Sequence, residues 1–98
     1  MKTGIELIAI ERKEQIEKHG RTIESDVKQN TETELSYFAG LLCHAKANET
    51  DAIMDFLPPK WNKNLCRKMI EKPYKERLII AGALIAAEID RIQNNSHE

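Results

Sequence analysis

One stretch decides the fold of this chain, residues 73–92, which read PYKERLIIAGALIAAEIDRI. It contains ten consecutive apolar residues at positions 78–87, and this run ends at the carboxylate of Glu88. On a helix with about 100° between successive residues, one narrow stripe contains Leu78, Ala81, Ile85, Glu88 and Ile92. Glu88 is therefore expected in the core. Because an unpaired buried carboxylate is costly, it needs a cation, a metal ion or a hydrogen-bonded network as its partner.

Size and composition predict a small helical protein. The chain has 98 residues, of which 32% are charged and 5% aromatic, and its formal net charge is -1. This length suits one domain, predicted over residues 1–98 with a polar tail after about residue 93. The balanced charge argues against a general attraction to nucleic acid or to anionic membranes. The apolar run is about half the length of a membrane span, so we expect a buried helix and no membrane partner.

Location is predicted from the N-terminus and the cysteines. The first residues lack the basic and then apolar pattern of a signal peptide, so we expect no secretion. Cys43 and Cys66 are then expected to be reduced thiols in the cytoplasm.

Capping signals and breakers mark the other helices. Thr3 with Glu6, and Thr31 with Glu34, have the spacing of a capping box, and Gly20 suits the end of a helix. Three long helices and two short ones are expected over these approximate ranges: 5–19, 31–47, 51–57, 61–72 and 73–92. The predicted fold class is all-α, a small helical bundle of three main helices plus one or two short helices.

Two of the long helices contain positions that predict a close neighbour. Gly82 costs about 1 kcal/mol relative to alanine in an exposed helix, which suggests that another helix packs closely there. The first helix has Arg12 in the middle of its main apolar stripe, which consists of Ile5, Ile8, Ala9 and Ile16. A smaller patch, Leu7 and Ile10, lies beside it. A helix that needs cover on two sides is either central in a bundle or shared with another subunit.

Three carboxylates on different helices predict a possible metal site. Glu11, Glu34 and Glu88 each lie on or beside an apolar face, and Asp26 could join them from the first loop. Magnesium prefers oxygen ligands and usually keeps several waters, so two or three carboxylates would suffice. Glu14 could share a metal with Glu11, but we interpret it as surface charge.

The alternative for these carboxylates is a set of buried or half-buried ion pairs. Arg12 and Arg77 are the cations expected to neutralise them, and Arg12 is the expected partner of Glu88 from another helix. The sequence alone favours the ion pairs slightly and leaves the metal site open.

A basic and aromatic segment is the remaining candidate for binding. Residues 60–77 contain seven basic side chains against two acidic ones. Trp61 and Tyr74 are interleaved with lysines such as Lys75, a pattern that suits nucleobase stacking and phosphate binding. Equally, Trp61 could cap the core after the double proline that precedes it.

Several sequence motifs, which together span nearly the whole chain, occur in the same order as in one protein family. These motifs are GIELIAIERKEQI (4–16), HGRT (19–22), Asp26, Glu34 with Leu35, PPKW (58–61), Arg77 with Leu78, and AGALIAAEIDRI (81–92). The chain resembles small phage and prophage proteins described as dATP/dGTP diphosphohydrolase-like. They are grouped with the all-α nucleoside triphosphate pyrophosphohydrolases of the MazG-like superfamily.

This resemblance implies an all-helical, often dimeric protein with a magnesium–carboxylate site. Such enzymes cleave a nucleoside triphosphate between its α- and β-phosphates and release pyrophosphate. By the same resemblance, Glu11, Glu34 and Glu88 are catalytic and metal-ligand candidates, and Asp26 is an auxiliary ligand. The candidates for substrate binding are Arg12, Arg77, Trp61 and Lys75.

The sequence differs from the family pattern at two positions, and this difference leaves a second function possible. In the superfamily's paired-carboxylate signature an acid stands three residues after each glutamate, but Tyr37 follows Glu34 and Arg91 follows Glu88. The alternative is a catalytically silent helical binding module, a phage accessory protein that docks a host protein or nucleic acid. A homodimer is expected in either case.

Overall fold

The computed structural model describes residues 1–20, 23, 33–44, 54–55, 57 and 61–95. Within these residues the chain forms four α-helices and no β-strand, which confirms the all-α class. The helices are α1 (Gly4–His19), α2 (Glu34–His44), α3 (Lys63–Ile70) and α4 (Tyr74–Asn95). The predicted cap at Thr31 and the predicted end of the second helix at 45–47 lie outside the described residues.

Both predicted ends of α1 are confirmed. The backbone N–H of Glu6 donates to Thr3 Oγ1 at 3.2 Å, and the backbone N–H of Thr3 donates to Glu6 Oε1 at 3.0 Å. Gly20 adopts the left-handed conformation, with φ 65° and ψ 20°, and its N–H donates to the carbonyl of Gln15. These local hydrogen bonds satisfy backbone groups that a helix end otherwise leaves without a partner.

The long helix α4 is the centre of the bundle, because it packs against α1, α2 and α3. Its Gly82 lies directly under Ile8 of α1, so that a Cβ atom on Gly82 would come within 2.5 Å of Ile8 Cδ1. The expectation of a closely packed helix at Gly82 is confirmed. The absence of a side chain at Gly82 lets α1 approach α4 closely. A larger residue at this position would require Ile8 to move.

The hydrophobic core lies mainly between α2 and α4, and α3 closes one side of it. Its apolar residues are Leu35, Phe38, Ala39, Leu42, Met54, Leu57, Trp61, Cys66, Ile70, Ile80, Ala81, Leu84 and Ala87. No helix in the described part of the chain is long and apolar enough to cross a membrane.

The predicted core stripe of α4 is only partly correct. Ala81 and Glu88 are buried, but Leu78 is partly exposed and Ile85 and Ile92 are 45% and 52% exposed. The buried face instead follows Ile80, Leu84 and Ala87, with Arg77 and Arg91 at its ends. When a helix is apolar on all sides, the spacing of its apolar residues does not single out one buried face. The helices that pack against α4 determine which face is buried.

The predicted main stripe of α1 is also wrong in part. Ile5 is 82% exposed and Ala9 is exposed, whereas Arg12 and Gln15 are the buried residues of this helix. Ile8 of this stripe is half-buried and contacts α4 at Gly82. The face of α1 that meets the bundle is therefore more polar than the sequence suggests.

Candidate functional site

Glu88 forms a buried ion pair with Arg91, one turn further along α4. Arg91 Nε donates to Glu88 Oε1 at 2.6 Å, and Arg91 Nη2 donates to Glu88 Oε2 at 3.1 Å. Both side chains are only 9% exposed. This two-point contact with an arginine is a strong form of charge pairing. Glu88 thus has a cation as its partner, but this cation is Arg91 of the same helix and not Arg12 or Arg77.

Arg12, the partner predicted for Glu88, contacts a different acid. Its Nη2 lies 3.7 Å from Asp90 Oδ2, so this ion pair joins α1 to α4. The pairing of Arg12 with Glu88 is therefore wrong, although a buried arginine of α1 does lie against an acidic residue of α4. Arg12 contributes to the packing of these two helices.

Arg77 connects the start of α4 to the end of α2. Its Nη1 donates to the carbonyl oxygen of Leu42 at 3.2 Å, and its guanidinium carbon lies 5.3 Å from the centre of the Tyr74 ring. The carbonyls in the last turn of a helix have no intrahelical donor. Arg77 is buried and supplies one, which is a structural contact between helices.

The remaining predicted site residues occupy separate environments. Trp61 is buried and meets Phe38 edge to face, with ring centres 5.2 Å apart, as a residue that caps the core does. Lys75 is exposed in the first turn of α4, and Glu34 is half-buried at the start of α2. Asp26 lies outside the described residues.

A pocket of about 250 Å³ lies where α1, α3 and α4 meet. Its lining combines charged groups with an apolar floor: Glu11, Glu14, Gln15, His19, Leu65, Lys68, Met69, Lys72, Ile80 and Leu84. A smaller hollow of about 160 Å³ shares Glu11, Lys72 and Ile80 with this pocket. Glu11 and Lys72 therefore border both spaces.

Of the predicted metal ligands that the structure describes, Glu11 is the one that lines this pocket. Burial raises the pKa of its carboxyl group above the ordinary value, while a hydrogen bond from Gln15 and the charge of Lys72 act in the opposite direction. Gln15 Nε2 donates to Glu11 Oε2 at 3.4 Å. The negative charge of this half-buried carboxylate is only partly offset by its neighbours, so a cation that approaches it would be stabilised.

The predicted set of three metal ligands is not brought together. Among the described residues, no three His, Cys, Asp or Glu side chains form a group that could hold a metal ion. Glu88 does not fit as a ligand, because Arg91 donates to both of its oxygens. Magnesium, however, is often bound by one or two carboxylates together with waters and substrate phosphates. Glu11 fits this smaller donor set. Glu14 lies beside it on the pocket wall, but it is exposed and pairs with Lys18 at 3.7 Å, as expected of surface charge.

Sequence reasoning missed several residues of the pocket. Gln15 belongs to a motif of the family resemblance, and Lys68 and Lys72 belong to the basic segment, but nothing in the sequence joins them. One feature of the sequence could have indicated the pocket. Leu65, Lys68 and Met69 stand at positions i, i+3 and i+4 of one helix, so that the same face carries two apolar side chains and a cation. The pocket forms because residues of α1, α3 and α4 come together in the bundle.

Comparison with known proteins gives no match to a protein-family model, to a curated protein or to a solved structure. The family resemblance therefore stays a prediction from sequence motifs. The functional argument for this chain rests on the pocket and on the residues that line it.

Proposed function

We propose that the pocket between α1, α3 and α4 binds a purine (deoxy)nucleoside triphosphate together with Mg²⁺, and that the protein is a phage-type nucleotide pyrophosphohydrolase-like protein. The observation that carries this proposal is the half-buried Glu11 carboxylate, with its raised pKa, on the boundary between two adjoining hollows. One hollow has an apolar floor that suits a base. The other shares Lys72, which suits phosphate.

The lining residues divide naturally into three roles. Glu11 would hold the magnesium ion through its carboxylate oxygens. Lys68 and Lys72 would bind phosphate oxygens as point charges. The apolar side chains of the floor would exclude water from one face of the base. When bound, magnesium neutralises the triphosphate and helps to activate the attacking water.

The reaction implied by the family resemblance is the hydrolysis of the triphosphate at its α-phosphorus. A water oxygen bonds to the α-phosphorus, the bond from that phosphorus to the oxygen that bridges it to the β-phosphorus breaks, and pyrophosphate leaves with the nucleoside monophosphate as the other product. In this reaction Lys68 and Lys72 hold the departing phosphates in place and offset their charge.

The test is to incubate the purified protein with each dNTP and magnesium and to measure monophosphate and pyrophosphate. We expect release from the purine nucleotides, and we expect Glu11→Gln to abolish it. Glu17→Gln is the matched control, because Glu17 lies on the exposed side of α1 and pairs with Lys13 at 4.0 Å. No product from any nucleotide, together with no thermal shift on adding magnesium, would overturn the proposal.

A catalytically silent binding module is the second candidate. The closed Glu88–Arg91 pair favours it, since this pair removes one of the three carboxylates that the family resemblance assigns to the metal. In that case the exposed lysines of the basic segment, such as Lys63, Lys68 and Lys75, would dock a host protein or nucleic acid. Nucleotide binding without any product would favour this candidate.

We also propose that the protein is a cytoplasmic homodimer. Ile85, Ile89 and Ile92 expose about half of their surface along one side of α4, and Ile5 is exposed on α1. Contiguous exposed apolar surface is typical of a contact with another molecule. Light scattering at several protein concentrations would give the mass, and a monomer at every concentration would contradict the dimer.

A further inference from the structure

Gln15 is the most unusual polar residue of the pocket. Its side chain is almost completely buried, at 4% exposure, and its Oε1 has no hydrogen-bond partner among the described residues. Most buried polar side-chain atoms in proteins do have a partner, so an unpartnered acceptor at a pocket wall is exceptional. A ligand that supplies a donor would satisfy it.

The hydrogen bond to Glu11 fixes which end of the Gln15 amide is available. An ionised carboxylate only accepts hydrogen bonds, so the NH₂ group of Gln15 must be the end that faces Glu11. The structure has this arrangement, with Gln15 Nε2 3.4 Å from Glu11 Oε2. The group of Gln15 that is left without a partner is therefore an acceptor and not a donor.

The rest of the pocket limits the shape of the ligand group. Four apolar side chains form the floor beside Gln15: Leu65, Met69, Ile80 and Leu84. Pockets that enclose a whole drug-sized ligand usually measure about 300–1,000 Å³. At about 250 Å³ this pocket is large enough for a planar ring, and it leaves a sugar and phosphates outside, near Lys68 and Lys72.

We propose that Gln15 is a specificity-determining residue, whose Oε1 accepts a hydrogen bond from the exocyclic amino group of a purine base lying on this apolar floor. The inference rests on the proposed nucleotide function and adds to it the group of the base that the protein recognises. Selectivity follows because a base without a donor at this edge would leave Oε1 buried and unsatisfied.

The decisive comparison is between two ligands that differ in one group. The probes are the α,β-methylene analogues of ATP and of purine riboside triphosphate, which has the same ring system without the amino group. Calorimetry with magnesium would measure both affinities. For the loss of one buried hydrogen bond we expect purine riboside triphosphate to bind about tenfold more weakly.

The matching variant is Gln15→Met, which keeps the length of the side chain and removes the amide. We expect it to bind the ATP analogue more weakly and to lose the discrimination between the two ligands. Lys13→Met, at an exposed position of the same helix, is the control and should keep the wild-type ratio. If Gln15→Met does not fold, equal affinities of the wild-type protein for the two analogues would still overturn the inference.

The outcomes separate this inference from the proposed function. Equal affinity of the wild-type protein for the two analogues would overturn the role of Gln15, because the acceptor would then be satisfied by water or not at all, while nucleotide binding would stand. Binding of neither analogue would overturn both. A ratio that is retained in Gln15→Met would place the selectivity in another residue.

Discussion

Arg91 holds both carboxylate oxygens of Glu88, at 2.6 and 3.1 Å, from the next turn of the same helix. The two residues lie on the buried face of α4, where the sequence predicts either a metal ligand or a cross-helix ion pair. A pair within one helix is a third solution. It neutralises the acid without a metal and without Arg12, and its consequences for stability are testable.

Glu88→Gln is expected to lower the stability of the protein and to leave nucleotide binding unchanged. Loss of one partner from a buried ion pair costs about 3–5 kcal/mol, and we expect the lower end because glutamine still accepts a hydrogen bond. Urea denaturation would measure the loss. Glu17→Gln breaks an exposed pair and should change stability by less than about 0.5 kcal/mol. A variant of normal stability that no longer responds to magnesium would show that Glu88 is a ligand after all.

Arg77→Lys tests whether this arginine is structural or contacts phosphate. Lysine keeps the charge but loses the planar group that reaches the Leu42 carbonyl and lies near the Tyr74 ring, so we expect a loss of about 1–3 kcal/mol in stability and no change in nucleotide affinity. Thermal denaturation and calorimetry would measure the two effects. Lys75→Met, at an exposed position two residues earlier, should leave stability unaltered. The opposite pattern for Arg77 would assign it to the substrate.

Gly82→Ala is expected to destabilise the protein, although alanine is the better helix former. The new methyl group would come within 2.5 Å of Ile8 Cδ1, and β-branched Ile8 has few rotamers with which to avoid it. We expect a net loss of about 1 kcal/mol after the gain in helix propensity. Chemical denaturation of this variant, alone and combined with Ile8→Ala, would show whether the two positions are coupled.

Gly40→Ala is the matched control for Gly82, because nothing lies within 4 Å of the position that its Cβ would occupy. This substitution on the exposed side of α2 should stabilise the protein by about 0.5–1 kcal/mol. Equal effects at both glycines would contradict the close approach of α1 to α4.

The raised pKa of Glu11 predicts a dependence of stability on pH. The folded protein holds the Glu11 proton more tightly than the unfolded chain, so the favourable contribution is fully present below the unfolded pKa. It is lost as the pH rises from the ordinary value of 4.5 through the higher pKa of the folded state. Relative to Glu11→Gln, the wild-type protein should therefore lose stability across this window, as followed by denaturation at a series of pH values.

Glu6 supplies a control of opposite sign. Hydrogen bonds from Thr3 lower the pKa of the Glu6 carboxyl group, so its contribution is present above the unfolded pKa and is lost as the pH falls. Relative to Glu6→Gln, the wild-type protein should gain stability as the pH rises. The same trend at both positions would be inconsistent with the burial of Glu11.

The parts of the structure that are predictable from sequence depend mostly on local interactions. The capping box of Thr3 and Glu6 and the stop at Gly20 are set by residues within one or two turns, so spacing is sufficient to find them. The close approach at Gly82 is also predictable. A glycine inside an apolar helix lowers helix stability, so its presence suggests that a neighbouring helix needs the space. The identity of that neighbour, Ile8, is beyond what the spacing can give.

The parts that are not predictable depend on how the helices are arranged. The apolar residues at positions 78–87 lie on all sides of α4, and only the packing of the other helices decides that Ile80 and Leu84 are buried while Ile85 is exposed. The pocket is a stronger example, since Glu11 and Lys72 are distant in sequence and border the same space only once the helices have packed together. Arg91 stands where the signature of the resembling superfamily has an acid. The sequence therefore draws attention to the missing acid, and not to Arg91 as a partner of Glu88.

The pairing of Glu88 with Arg91 also affects how the bundle assembles. An acid and a base that sit on consecutive turns reach each other as soon as α4 forms, so they enter the interior as a neutral unit whichever helix packs against them. Such a unit does not determine how far α1 slides along α4. That alignment depends on contacts between the two helices, the packing of Ile8 against Gly82 and the ion pair of Arg12 with Asp90.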